Sequence, residues 1–272
     1  MKDQAHMRTI DLPGGGKLPV LGLGTWELTG STCASVVRRA LELGYRHVDT
    51  AEMYANEGEV GQALAGSGLD RAEVFLTSKV WTSHFRAADV ARAAERSLRL
   101  LRTDYLDLLL LHWPNPDVPL RETLAALARL IEAGQVRAIG VSNFHPQLLR
   151  EALDASPAPI ACDQVRYHVG HDQEPLRRAA RAAGVAVVAY WPLRHGGLLG
   201  EPLLAGIGRR HGKSAAQVAI RWLLEREGVA TIPKATSDTH LKENLAAVDF
   251  ELSPEELRRL DAVGLTPPAG EG

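Results

Sequence analysis

Eight residues able to do chemistry stand at the ends of apolar runs. Asp49 ends "RHVD", Lys79 ends "VFLTSK", and His112 ends "YLDLLLLH". Ser142 and Asn143 follow "VRAIGV", Gln164 closes "IACDQ", Tyr190 closes "VAVVAY" and Lys234 closes "VATIPK". A carboxylate, an ammonium and an imidazole in one place are the groups of acid–base or Schiff-base chemistry. Each has an ordinary alternative: a strand-end aspartate caps helices, a histidine before Trp-Pro packs, and a terminal lysine is solvated. The types acquire a common meaning only if the ends of all these runs converge.

The intervening sequence supplies elements that would make them converge. Short apolar runs alternate with amphipathic segments such as "ADVARAAERSLRLL", where Val90, Ala94, Leu98 and Leu101 fall on one face. "LRETLAALARLIEAG", "EPLRRAARAAG" and "SAAQVAIRWLLERE" read the same way, and Gly44, Gly134 and Gly184 suit left-handed helix ends. "LLLLHW" does not alternate, which predicts a strand buried on both faces of a parallel sheet. Eight strand–helix units predict an α/β fold, a (β/α)8 TIM barrel, whose strand carboxyl ends share one face. "TIDLPGGGKLPV" predicts a β-hairpin ahead of the first unit, capping the bottom of the barrel.

The chain's 272 residues, 45% hydrophobic and 24% charged, with a formal net charge of −2, give no basic block for nucleic acid and no apolar run long enough for a membrane. Residues 8–262 are expected to form a single domain. Residues 1–7 read as an N-terminal extension, with Met7 an alternative start, and residues 263–272 as a short tail. Cys33 and Cys162 lack metal spacing and predict reduced thiols in a cytoplasmic protein; no metal site is expected. "GLGTWE" lacks the third glycine of a dinucleotide fingerprint, "GGGK" lacks the frame of a P-loop, and no G-x-S-x-G elbow occurs.

Taken together, "GLGTW", "HVDTAEMYANEGEVG", "LTSKVW", "LLLLHWP", "GVSNF", "QVRYH" and "IPKATSDTHLKEN" resemble the aldo-keto reductases over residues 8 to 260. Within that family the chain looks most like bacterial 2,5-diketo-D-gluconate reductase-like members. The resemblance implies a catalytic tetrad of Asp49, Tyr54, Lys79 and His112, in which Tyr54 is the general acid. Lys79 would lower its pKa, Asp49 would hold Lys79, and His112 would orient the carbonyl. It also implies that Ser142, Asn143 and Gln164 hold a nicotinamide carboxamide, that Tyr190 stacks on the ring, and that Lys234 meets an adenosine 2′-phosphate. Gly24, Thr25, Trp191, Leu193, Ala235, His240, Glu243 and Asn244 fall on the cofactor side, and Trp26, Trp81 and Trp113 on the substrate side.

The chain departs from the family pattern at four positions. Trp191 and Ala235 stand where serine is common, His240 where an arginine clamps the 2′-phosphate, and Asp163 where asparagine is usual. A histidine cannot reproduce arginine's bidentate fork. NADPH is therefore the expected cofactor with weakened discrimination, and NADH the alternative. The expected activity is reduction of small aldehydes, ketones or sugar-derived dicarbonyls by a monomer. Two rival readings are a non-catalytic NADPH-binding sensor on the same scaffold and a Schiff-base aldolase using Lys79.

Overall fold

A computed structural model describes residues 8–264 of the chain; the expected N-terminal extension and all but the first two residues of the expected tail lie outside the described residues. The chain opens with a hairpin, β1 (Thr9–Asp11) paired antiparallel with β2 (Lys17–Pro19). Gly14, Gly15 and Gly16 in its turn all have φ near +90°, the region glycine enters without steric cost.

Eight parallel strands follow: β3 (Leu23–Gly24), β4 (His47–Asp49), β5 (Phe75–Val80), β6 (Leu106–Leu111), β7 (Val136–Ser142), β8 (Ile160–Arg166), β9 (Ala186–Tyr190) and β10 (Val229–Thr231). Each pairs with its neighbour in sequence order. The two outer strands meet through Gly22 N–H to the Thr231 carbonyl at 2.9 Å and Thr231 N–H to the Val20 carbonyl at 2.8 Å. These bonds close the sheet into a barrel and leave no long exposed edge.

The helices between them are α1 (Gly30–Leu43), α2 (Glu57–Ala65), α3 (Ala87–Leu101), α4 (Leu120–Glu132), α5 (Pro146–Ala155) and α6 (Glu174–Ala182). Two more, α7 (Pro202–His211) and α8 (Ala215–Leu224), separate β9 from β10. The chain then adds α9 (Asp238–Leu245) and α10 (Pro254–Asp261). The sequence pattern reveals α8 but not α7, whose short apolar stretch is interrupted by Gly206 and Gly208. In α3 the four residues expected on one face are all buried, and β6 is buried along its whole length. Gly44, Gly134 and Gly184 all take left-handed conformations after α1, α4 and α6.

The core has two layers. Val48, Leu109, Leu111, Ile139, Val141 and Val187 belong to the layer that packs the strands against the helices. Phe75, Leu108, Leu110, Ala138, Ala161, Val188 and Ala230 form an inner cluster that also takes in Leu12 and Leu18 from the hairpin. The hairpin thus inserts two leucines into the barrel interior and caps its lower end. Leu18 is fully buried, so Leu18→Ala is expected to destabilise the fold by about 2–4 kcal/mol, the usual cost of a large-to-small core cavity. Urea unfolding of the variant measures this, and an unchanged midpoint would contradict the plug.

Candidate active site

The site is assembled by strand register. Gly24 on β3 lies beside Asp49 on β4, Asp49 beside Thr77 on β5, and Lys79 beside Leu110 on β6. β3 and β4 end at Gly24 and Asp49, and β5 and β6 stop one residue past Lys79 and Leu110, so the polar ends meet at the upper rim.

Lys79 Nζ donates to Asp49 Oδ1 at 2.5 Å, to the Thr50 carbonyl at 2.9 Å and to the Tyr54 hydroxyl at 3.3 Å. The ion pair is sealed from solvent, with side-chain exposures of 0% and 1%. The second Asp49 oxygen accepts from Gln164 Nε2 at 2.7 Å. All three ammonium hydrogens and both carboxylate oxygens are thereby engaged, which is what keeps a buried pair from costing more than it returns. Burial alone would depress the ammonium, but the Asp49 charge and the two side-chain hydrogen bonds more than reverse this, and Lys79 titrates above its ordinary value.

Tyr54 is presented by a single 3-10 turn, Glu52–Tyr54, which ends at Ala55 in a left-handed conformation (φ 54°). Asn56 then fastens the loop: its Nδ2 donates to the Thr25 and Leu28 carbonyls, both at 2.9 Å, and its Oδ1 accepts from Thr50 Oγ1 at 2.7 Å. The sequence alone suggests a small spacer at Asn56; the structure gives a buried clamp joining the loops after β3 and β4. Glu57 is likewise buried, with Ser78 donating to it at 2.6 Å.

Lys79 acts to lower the Tyr54 pKa, as expected, but its influence does not prevail in the protein. Burial of the phenol is the dominant influence and raises it; Lys79 pulls in the opposite direction, Asp49 reinforces the rise, and the net direction is upward. Tyr54 is thus a protonated donor throughout the neutral range. His112 follows β6 and contacts both rings around it, with centroids 5.5 Å from Tyr54 and 5.2 Å from Trp81. Burial, aided by the Lys79 charge, drives its pKa down to about 3, so the imidazole is neutral. Its Nδ1 is buried with no hydrogen-bond partner within the protein.

A cavity of about 890 Å³ opens above this group. Besides Asp49, Tyr54 and His112 it is lined by Gly24, Thr25, Trp26, Trp81, Trp113, Ser142, Asn143, Gln164, Tyr190, Trp191, Leu193 and Lys234. Lys79 lies beneath its floor. Asn143, left-handed at φ 64°, donates to the His112 carbonyl at 3.1 Å and accepts from the Tyr190 hydroxyl at 2.8 Å. Ser142 Oγ donates to the Gln164 carbonyl at 2.7 Å. Gly24 has no room for a side chain, since a Cβ there would meet the Ile232 carbonyl oxygen at 2.6 Å.

Four of the residues expected on the cofactor side are not part of this lining. Ala235 is buried just beyond Lys234, His240 is exposed on the first turn of α9, and Asn244 is buried farther along that helix. Glu243 uses its carbonyl to accept from Gln217 Nε2 at 3.0 Å. Asp163 is set apart from the pocket. It lies outside the lining and is fully buried, and burial lifts its carboxyl well above the usual carboxylate range, against a contact from the Phe144 N–H at 3.5 Å.

The lining also includes residues the sequence did not single out: Met53, His145, Arg166, His171, Gln173 and His195. Arg166 lies within the "QVRYH" motif and His171 three residues after it, which was the available signal. His195 belongs to a roof segment in which Trp191, Arg194 and His195 all have φ near +50°, a conformation that costs non-glycine residues energy and clusters at functional sites. The Trp191 and His195 rings pack at 3.9 Å within it.

A reductase built on a buried, paired lysine and a barrel rim is a known class, and the comparisons agree. The Aldo/keto reductase family model matches residues 20–264, and the chain belongs to that family. It is 41% identical over 257 residues to a glyoxal reductase of Bacillus subtilis (strain 168), covering 94% of this chain and 92% of that protein. A 9,11-endoperoxide prostaglandin H2 reductase of Trypanosoma cruzi (strain CL Brener) is 42% identical over 249 residues, covering 90% and 87% of the two chains. The crystal structure of a protein provisionally described as a 2,5-diketo-D-gluconic acid reductase B superposes with a TM-score of 0.92 at 43% identity, covering 97% and 95%. A thermostable aldo-keto reductase in complex with the inhibitor epalrestat gives a TM-score of 0.88 at 41% identity, covering 93% and 98%. The TIM-barrel fold, the family and the likeness to diketogluconate reductases are thus as the sequence predicts.

With His112 neutral and Tyr54 protonated, carbonyl reduction is expected to show no titration step between about pH 5 and 8, the window of an ordinary histidine. The rate should fall only above the ordinary phenol range, near pH 10 or higher. A kcat/KM profile checks this; an inflection close to pH 6.5 would contradict the neutral assignment of His112.

Proposed function

We propose that this chain is an NADPH-dependent reductase of small aldehydes, ketones or sugar-derived dicarbonyls, with residues 8–262 acting as one barrel domain. The observation that carries this reading is Lys79 Nζ reaching both Asp49 and the Tyr54 hydroxyl at the floor of a tryptophan-walled cavity.

The residues present fit a nicotinamide dinucleotide. Ser142, Asn143 and Gln164 bring hydroxyl and amide groups to one side of the cavity, a set able to donate to and accept from a carboxamide. Lys234 places a cation at the rim. When bound, such a cofactor supplies the hydride.

The protein's own part is proton transfer and positioning. Tyr54 donates its proton to the carbonyl oxygen, and Lys79 stabilises the phenolate that this leaves. Asp49 fixes the ammonium, and Gln164 fixes Asp49. Neutral His112 orients the carbonyl by hydrogen bonding, while Trp26, Trp81 and Trp113 wall the substrate and limit water. Loss of the phenol should cost about 10²–10⁴-fold, the usual worth of a positioned general acid. Tyr54→Phe is therefore expected to lose turnover of methylglyoxal or a nitrobenzaldehyde by that factor while folding normally; unchanged turnover would sink the mechanism.

The names of the glyoxal and diketogluconate reductases point toward short dicarbonyls, and the cavity's aromatic walls with few fixed charges suit small, weakly polar substrates. A Schiff-base role for Lys79 is disfavoured, because its ammonium is held charged and its three hydrogens are engaged. We further take the protein to be cytoplasmic, in keeping with its two buried free thiols, and monomeric, as the family resemblance implies.

For the adenosine end, His240→Arg is expected to tighten NADPH more than NADH, because a guanidinium adds a fixed bidentate cation. Equilibrium titration of both dinucleotides checks this, and equal effects on the two would refute the placement of His240.

A further inference from the structure

The segment from Lys234 to Asn244, where the reading above places the adenosine end of the cofactor, contains two lysines and no arginine. Both lysines are already matched by carboxylates. Lys242 pairs with Asp238 at 2.5 Å, and Asp238 is shared with Arg39. Lys234 Nζ pairs with Glu27 at 2.5 Å. Of the two lysines only Lys234 lines the cavity, so its partner is the carboxylate that an anion arriving there must face.

Glu27 comes from the other side of the barrel seam. It follows Trp26 in the loop after β3, holds a left-handed backbone (φ 63°), and lies 207 residues before its partner. The hydrogen bond from Lys234 outweighs the effect of burial and, with the Lys234 and His195 charges, holds the carboxyl below its ordinary value, so Glu27 is charged at neutral pH. Both side chains are partly exposed, 34% for Lys234 and 51% for Glu27, so the pair can open for a competitor.

We propose that Glu27 is a specificity-determining residue that competes with the adenosine 2′-phosphate for Lys234. The inference rests on the nicotinamide-dinucleotide reading of the cavity. A dinucleotide bearing the 2′-phosphate must displace Glu27 from Lys234 and then tolerate a carboxylate beside it. A dinucleotide without that phosphate leaves the ion pair intact. With His240 in place of a clamping arginine, this competition narrows the preference for NADPH over NADH from a second, independent direction.

The test is equilibrium binding, read from tryptophan fluorescence, since Trp26, Trp81, Trp113 and Trp191 all line the cavity. NADPH and NADH are titrated into the wild-type chain, Glu27→Gln, Lys234→Gln and the double variant. Glu27→Gln is expected to raise the affinity ratio of NADPH to NADH by about two- to fivefold, the range an exposed ion pair supplies. The gain should shrink with added salt. In the Lys234→Gln background the same change should move the ratio less. A ratio unmoved by Glu27→Gln, or moved equally with and without Lys234, overturns the proposal while leaving dinucleotide binding intact. Wild-type fluorescence that responds to neither dinucleotide overturns the underlying reading of the cavity, and this proposal with it.

Discussion

The upper face of this barrel depends on one buried ion pair. Taking Asp49 and Lys79 out of water is costly, and their mutual attraction offsets that cost only if every remaining hydrogen-bonding position is filled. The surroundings meet the requirement: Thr50 and Tyr54 complete the ammonium, and Gln164 completes the carboxylate. The energetics of folding and the geometry of the reaction centre thus make the same demand. Tyr54 sits where it does partly because the lysine needs a third acceptor, and in the proposed mechanism that acceptor is also the proton donor.

The same pair explains why the neighbouring groups behave unlike their free counterparts. Burial, aided by the fixed Lys79 charge beneath, keeps His112 neutral, and the same burial keeps the Tyr54 proton in place. In the proposed mechanism the lysine therefore contributes chiefly as the phenolate forms. That is the useful order, since an acid that ionised before meeting its substrate would have no proton to give.

Much of this was legible in the sequence, and the reason is register. Parallel strands of a barrel end on one face, so polar residues closing apolar runs, such as Asp49, Lys79 and His112, announce their convergence. The hairpin and the buried β6 were legible because turn glycines and unbroken leucines have local meanings. What escaped was long-range or a matter of balance. Glu27 meets Lys234 across 207 residues and Gln164 meets Asp49 across 115, and no local pattern encodes either pairing. The upward shifts of Tyr54 and Asp163 follow from desolvation, which is set by packing that no motif records. Helix α7 was missed because its glycines interrupt the helical pattern.

Asn56 joins the loop that carries Trp26 to the loop that carries Tyr54, through two carbonyls on one side and a threonine hydroxyl on the other. The Trp26 wall of the cavity and the Tyr54 turn are consequently a single mechanical unit. Variation in this lineage, natural or engineered, would have to exchange the two loops together or redesign the knot between them. Trp81 is held to the Tyr54 loop as well, its backbone N–H donating to Glu52 at 3.1 Å, whereas Trp113, exposed after β6, stands outside the knot, so diversification of the chamber is channelled to that side.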